Sequence, residues 1–178
     1  MGDERFRLFC ALQLPAETVD ALATWQGAHL QEGRIVPPEN LHVTLAFLGS
    51  RPAEQVPAIG RELAAAAAAA AVPVRLRAGR YRESRSVGMI VLEDVGGAAT
   101  ALAAELGERL ERLGAYRRES RPWLPHVTVL RFRERPRLAA PPPDLEEIHA
   151  VRCAVYRSIP RPGGPRYEVL QAAALGGR

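Results

Sequence analysis

The sequence predicts an α+β fold in which two similar lobes, related by a pseudo-two-fold axis, set antiparallel sheets around a central cleft with helices on the outside. Three observations predict it. Strand-like and helix-like segments alternate and then give way to strands, an order that favours antiparallel pairing. No low-complexity linker divides the 178 residues, so the whole span 1–178 reads as one two-lobed domain. A short motif occurs twice, about half a chain length apart, as expected when one structural unit is repeated.

The elements follow in order. Residues 5–14 carry Phe6, Leu8, Cys10, Leu12 and Leu14 at period two, which is a strand, and Pro15 ends it. Residues 16–29 are an amphipathic helix, with Val19, Leu22 and Trp25 three apart. Val36-Pro-Pro-Glu-Asn40 is a turn. Residues 41–48 form a strand closed by Gly49, and a helix over 53–71 stops at Pro73. The alanine run inside that helix is no linker, because Ala is the best helix former. Residues 74–78 and 87–92 read as strands, with polar residues 80–86 as the loop between them. A helix over 98–113 starts after Gly96-Gly97 and ends at Gly114. Residues 121–125 are an extended entry to a strand over 126–132. The Arg- and Pro-rich stretch 133–144 is a surface loop. Strands over 149–157 and 167–173 flank a turn at 160–165, and Gly176-Gly177 frays.

Composition narrows the function. The net charge is +4, and all 24 basic residues are Arg. Two readings of the missing Lys stand side by side. One is GC-rich coding, which the alanine run shares. The other is a phosphate-rich partner, because guanidinium forks pair bidentately with phosphate. The basic balance permits a nucleic-acid substrate. Cys10 and Cys153 give neither a disulfide framework nor metal-knuckle spacing. The N-terminus lacks a signal-peptide pattern, and no apolar run is long enough to span a membrane. A cytoplasmic protein with no membrane role and no obligate protein partner, a monomer, is expected.

The repeat pairs Leu41-His-Val-Thr-Leu-Ala-Phe47 with Pro125-His-Val-Thr-Val-Leu-Arg131, and its histidines lie 84 residues apart. Residues i and i+2 of a strand share a face. His42 and Thr44 therefore face one way, and Val43 and Leu45 point into a core. In the second copy His126, Thr128 and Leu130 share a face, with Val127, Val129 and Arg131 opposite. For Arg131 to reach the site of His126, the strand must twist, bulge or end before it. One His-x-Thr in a strand signifies little; two at half-length spacing are a candidate site. The competing reading is a duplication that kept idle residues.

At this point the chain resembles the two-histidine phosphoesterase superfamily, and within it the bacterial and archaeal RNA 2′,3′-cyclic phosphodiesterases, also described as 2′-5′ RNA ligases. Four stretches carry the likeness in family order: Arg7-Leu-Phe-Cys-Ala-Leu-Gln-Leu-Pro15, Leu41-His-Val-Thr-Leu-Ala-Phe-Leu-Gly49, Pro125-His-Val-Thr-Val-Leu-Arg131 and Gly163-Gly-Pro-Arg-Tyr-Glu-Val-Leu170. The resemblance implies that His42 is the proton donor to the leaving 3′ oxygen and His126 the proton acceptor that activates water. It implies a 2′-phosphomonoester product, and 2′-5′ ligation when the reaction runs backwards.

The chemistry suits these residue types. Opening a strained cyclic diester needs a base, an acid and donors for the non-bridging oxygens. Imidazole titrates near neutrality and holds either role. The motifs alone leave open which histidine does which. Thr44, Thr128 and Arg131 are the candidate phosphate donors. Of the four histidines, His29 and His149 are expected to be solvated or structural, and no clustered His and Asp set suggests a metal, so neither metal nor cofactor is expected. Trp25 reads as core. Phe9, Trp123 and Tyr167 are candidate stacking platforms, and the arginines of 131–137 a candidate RNA track or a solvated loop. The partner is then an RNA with a 2′,3′-cyclic phosphate end or a small cyclic nucleotide. Two alternatives remain: a phosphodiesterase of the same superfamily for another cyclic or 2′-5′ linked nucleotide, and a non-catalytic RNA-end-binding module.

Overall fold

The computed structural model describes residues 2–176. Three helices, α1 (Ala16–His29), α2 (Val56–Ala69) and α3 (Ala98–Arg112), pack on two antiparallel sheets. The first sheet has the order β3-β1-β8-β9, from β1 (Arg5–Gln13), β3 (His42–Pro52), β8 (Arg152–Ile159) and β9 (Arg166–Ala174). The second has the order β2-β6-β5-β4-β7, from β2 (Arg34–Ile35), β4 (Val74–Glu83), β5 (Val87–Asp94), β6 (His126–Arg131) and β7 (Ile148–Ala150). β3 and β6, which carry the two motifs, approach each other from different sheets. One hydrophobic cluster runs through both sheets, from Leu8, Leu12 and Val155 to Ile90, Val127 and Leu106. No helix among the described residues is long and apolar enough to cross a membrane.

Each helix has a local cause. Pro15 precedes α1, whose first turn holds Glu17 and whose last holds His29, both favourable to the helix dipole. Asp94, at the end of β5, accepts hydrogen bonds from the Ala99 and Thr100 amides at 3.2 and 2.8 Å and so satisfies orphan donors at the start of α3. α2 draws its alanine run over β8 and β9 and touches α3, burying Ile59, Leu63, Ala66 and Ala67.

Several boundaries differ from expectation. Residues 80–86 are not a loop: β4 runs to Glu83 and only the tip at 84–86 turns. Its arginines sit on the exposed side, while Glu83 is buried and accepts from Tyr81 Oη and from the Arg137 and Leu138 amides. β3 does not stop at Gly49 but passes through it to Pro52, with Gly49 at φ 70° beside a register shift. The single strand at 149–157 is two strands in different sheets, and Val151, 65% exposed, is the hand-over between them. The helix expected from residue 53 begins with a 3₁₀ turn over Ala53–Gln55. β2 is too short to leave a period-two signal. The Gly176 amide donates to Ala67 O at 2.8 Å, and Gly177 lies outside the described residues.

Candidate active site

Each motif strand is built with the same irregularity. β3 pairs with β1 through Ala11↔Thr44 and then Cys10↔Ala46, which leaves Leu45 without a partner. β6 pairs with β5 through Met89↔Thr128 and then Gly88↔Leu130, which leaves Val129 without one. The extra residue is a β-bulge, and it reverses the alternation of faces beyond it. Leu45 and Ala46 are therefore both buried, as are Val129 and Leu130. The side chains at Phe47 and Arg131 return to the face of the histidines. This settles the position of Arg131: strict alternation sends it away from His126, and the bulge brings it back.

The second bulge is held from α1. The Gln26 side chain is 1% exposed, and its amide donates to Val129 O at 2.9 Å and to Val36 O at 3.0 Å. The Val36 amide also donates to Val129 O. Gln26 was not singled out from the sequence. Its signal was its place four residues after Leu22 and one after Trp25, on the buried face of the helix.

The two histidines are anchored alike. His42 Nδ1 lies 2.7 Å from Asn40 O, and His126 Nδ1 lies 2.8 Å from Leu124 O. In both copies the partner is the carbonyl two residues upstream, which accepts from Nδ1–H and leaves Nε2 as the working nitrogen. Their surroundings differ. His42 Nε2 meets Thr44 Oγ1 at 2.9 Å. Phe9 lies 4.9 Å from the His42 ring, stacks on Tyr156 at 5.0 Å and meets Tyr167 edge-on at 4.9 Å. Phe9, which is buried, walls His42 and is no stacking platform, while Tyr167 is partly exposed beside the same ring.

Burial in this aromatic wall pushes the His42 pKa down to about 4, with the charges of Arg131 and His126 acting in the same direction and the Asn40 carbonyl opposing them. β3 and β6 lie against each other, so His42 of one sheet and His126 of the other sit on neighbouring strands. The four motif residues, His42, Thr44, His126 and Thr128, are all partly buried, as a cleft lining should be.

Trp123 serves the join. Its Nε1 donates to the Thr44 carbonyl at 3.0 Å, so the segment entering the second motif grips the backbone of the first. Asn40 does the same for the C-terminal turn, donating from Nδ2 to Pro165 O at 2.8 Å. Trp25 is core, as expected, with its Nε1 on Pro141 O. His29 and His149 are exposed; His29 lies against Trp25 and His149 beside Glu147. The loop arginine Arg135 is tied to Glu83 at 3.2 Å. Among the described residues no three His, Cys, Asp or Glu side chains converge into a metal-binding group.

A cleft of two sheets, with one histidine and one threonine from each, can move protons on both sides of a phosphate. Residues 12–88, which include the first motif, match the family described as LigT-like phosphoesterase. The chain is 34% identical over 173 residues to the RNA 2′,3′-cyclic phosphodiesterase of Escherichia coli (strain K12), covering 95% of this chain and 96% of that protein. It is 32% identical over 188 residues to the protein of the same name from Thermus thermophilus, covering 96% and 91%. The crystal structure of E. coli LigT complexed with 3′-AMP superposes with a TM-score of 0.82 at 28% identity, over 97% of this chain and 99% of that one. Similarity that spans both motifs, on the same fold, makes this chain a member of the LigT-like phosphoesterase family.

Proposed function

We propose that the protein hydrolyses the 2′,3′-cyclic phosphate of an RNA end to a 2′-phosphomonoester, with no metal or cofactor. The observation that carries this reading is the matched pair of histidines, one per sheet, each fixed through Nδ1 to a carbonyl two residues upstream. The names of the full-length relatives support the substrate.

His126 Nε2 takes a proton from water as its oxygen attacks phosphorus. The P–O3′ bond breaks, and His42 Nε2 gives its proton to the leaving 3′ oxygen. Thr44, Thr128 and Arg131 donate to the non-bridging oxygens, where charge develops. With a 5′-hydroxyl in place of water, the same transfers join two RNA ends through a 2′-5′ bond. Because the site draws on both sheets, residues 1–178 act as one two-lobed domain.

The burial of His42 favours exchanged roles. A His42 pKa near 4 leaves its imidazole neutral at pH 7, the state a base needs. The reading with His42 as donor therefore requires the bound phosphate anion to raise that pKa, which opposes the pressure from Arg131.

Two assays test the reading. A nucleoside 2′,3′-cyclic phosphate is turned over in excess EDTA and the product identified by phosphorus NMR: 2′-phosphate is expected, and 3′-phosphate or a need for added metal contradicts it. Bis(p-nitrophenyl) phosphate, whose leaving group needs no proton, separates the roles. His42→Ala should keep this activity and His126→Ala should lose it; the reverse pattern assigns His42 as the base.

A further inference from the structure

Beside Arg131 lies a cavity of about 340 Å³, within the size range of small-molecule sites. Both sheets wall it. Arg34 and Arg131 come from adjacent strands of the second sheet, in register across β2 and β6. Arg166 and Tyr167 begin β9 of the first, after the Gly163-Gly164 turn. Tyr167, which lines the cavity, also lies edge-on to His42 at 5.4 Å, so the cavity and the catalytic ring share one wall residue. The Arg34 guanidinium lies over Gly164, where a Cβ would come within 3.5 Å of its Cζ. Gly164 stands at φ 124°, which a glycine adopts without strain.

The charge is lopsided. Three arginines and one carboxylate residue, Glu39, line the cavity, and among the described residues none of the three arginines is in an ion pair. Elsewhere Arg75, Arg77, Arg109 and Arg118 each sit on a glutamate. Arginines without a carboxylate partner that line a concave site suit a phosphate, which accepts bidentate bonds from their planar forks.

We propose that this cavity holds the phosphodiester on the 5′ side of the terminal nucleotide, so that the enzyme selects an RNA chain end over a free cyclic mononucleotide. The inference rests on the cyclic phosphate being bound between His42 and His126. One nucleotide further along the chain, the next phosphate is the next anion the protein meets, and a cyclic mononucleotide has none there. Arg34 and Arg166 are specificity residues in this reading and take no part in the proton transfers.

The test compares adenosine 2′,3′-cyclic phosphate with the dinucleotide ApA carrying the same cyclic end, and with that dinucleotide bearing a neutral methylphosphonate linkage. Turnover gives kcat/KM, and calorimetric titration gives Kd for each, which is read whether or not the compound is hydrolysed. The wild type should favour the charged dinucleotide by about tenfold or more, the gain from one charge-assisted contact. The methylphosphonate should lose that gain. Arg34→Ala and Arg166→Ala should lose it too while keeping wild-type turnover of the mononucleotide, which shows that they are folded. Equal treatment of mononucleotide and dinucleotide overturns the proposal. A preference that survives the methylphosphonate also overturns it and assigns the cavity to base or ribose. Failure of all three compounds to turn over counts against the hydrolytic reading alone, and the Kd values still decide this one.

Discussion

His42 and His126 share a backbone anchor and differ in everything around it. The motif and its spacing made the pair legible in the sequence, because period two fixes which side chains share a face. The lowered basicity of His42 was not legible. It comes from Phe9, Tyr156 and Tyr167, which the fold gathers from β1, β8 and β9, distant in sequence. An NMR titration of the free protein should find His42 changing charge near pH 4. Since the unfolded chain has an ordinary histidine, it binds more protons than the native state between about pH 6.5 and 4. The stability tied to this residue is therefore complete above the unfolded pKa and is lost as pH falls through the folded one. Inorganic phosphate in the cleft should shift the titration upward. A midpoint near 6.5 without phosphate, or no response to it, contradicts this description.

At the level of elements, periodicity read the buried faces well and the irregular backbone poorly. The bulges at Leu45 and Val129 carry no residue signature, yet the second decides where Arg131 points. The polar run at 80–86 read as a loop because β4 has one solvated face, where Arg80 and Arg82 are exposed. The strand at 149–157 looked continuous because a change of sheet needs only one exposed residue, Val151. Gln26 joins α1 to the second bulge, so its loss should be felt in two quantities. Gln26→Ala leaves the Val36 carbonyl unsatisfied and should cost about 1–3 kcal/mol of stability in denaturant unfolding. Well below its Tm, the variant should also show a lower kcat/KM on a nucleoside cyclic phosphate, as the bulge relaxes and Arg131 turns. Lost stability with unchanged kcat/KM would separate the bulge from the site.

Across the whole molecule, the repeat foretold two lobes and a cleft between them, because a duplicated strand that bears chemistry is useful only where its copies meet. What it did not foretell is how the halves are fastened: Trp123 on the Thr44 carbonyl, Asn40 on Pro165, and β7 handing the chain directly to β8. The two side-chain contacts join residues tens of positions apart and obey no local period. They hold the two motif strands against each other, as the proposed in-line displacement would require. The account stands or falls on both lobes contributing to one reaction. The deciding measurement is kcat for a nucleoside 2′,3′-cyclic phosphate in excess EDTA, for wild type, His42→Ala, His126→Ala and the double variant. Each single variant should fall by about 10²–10⁴-fold, and the double should fall little further, since the histidines act as a unit. Near wild-type turnover in either single variant, with its fold intact, would contradict it.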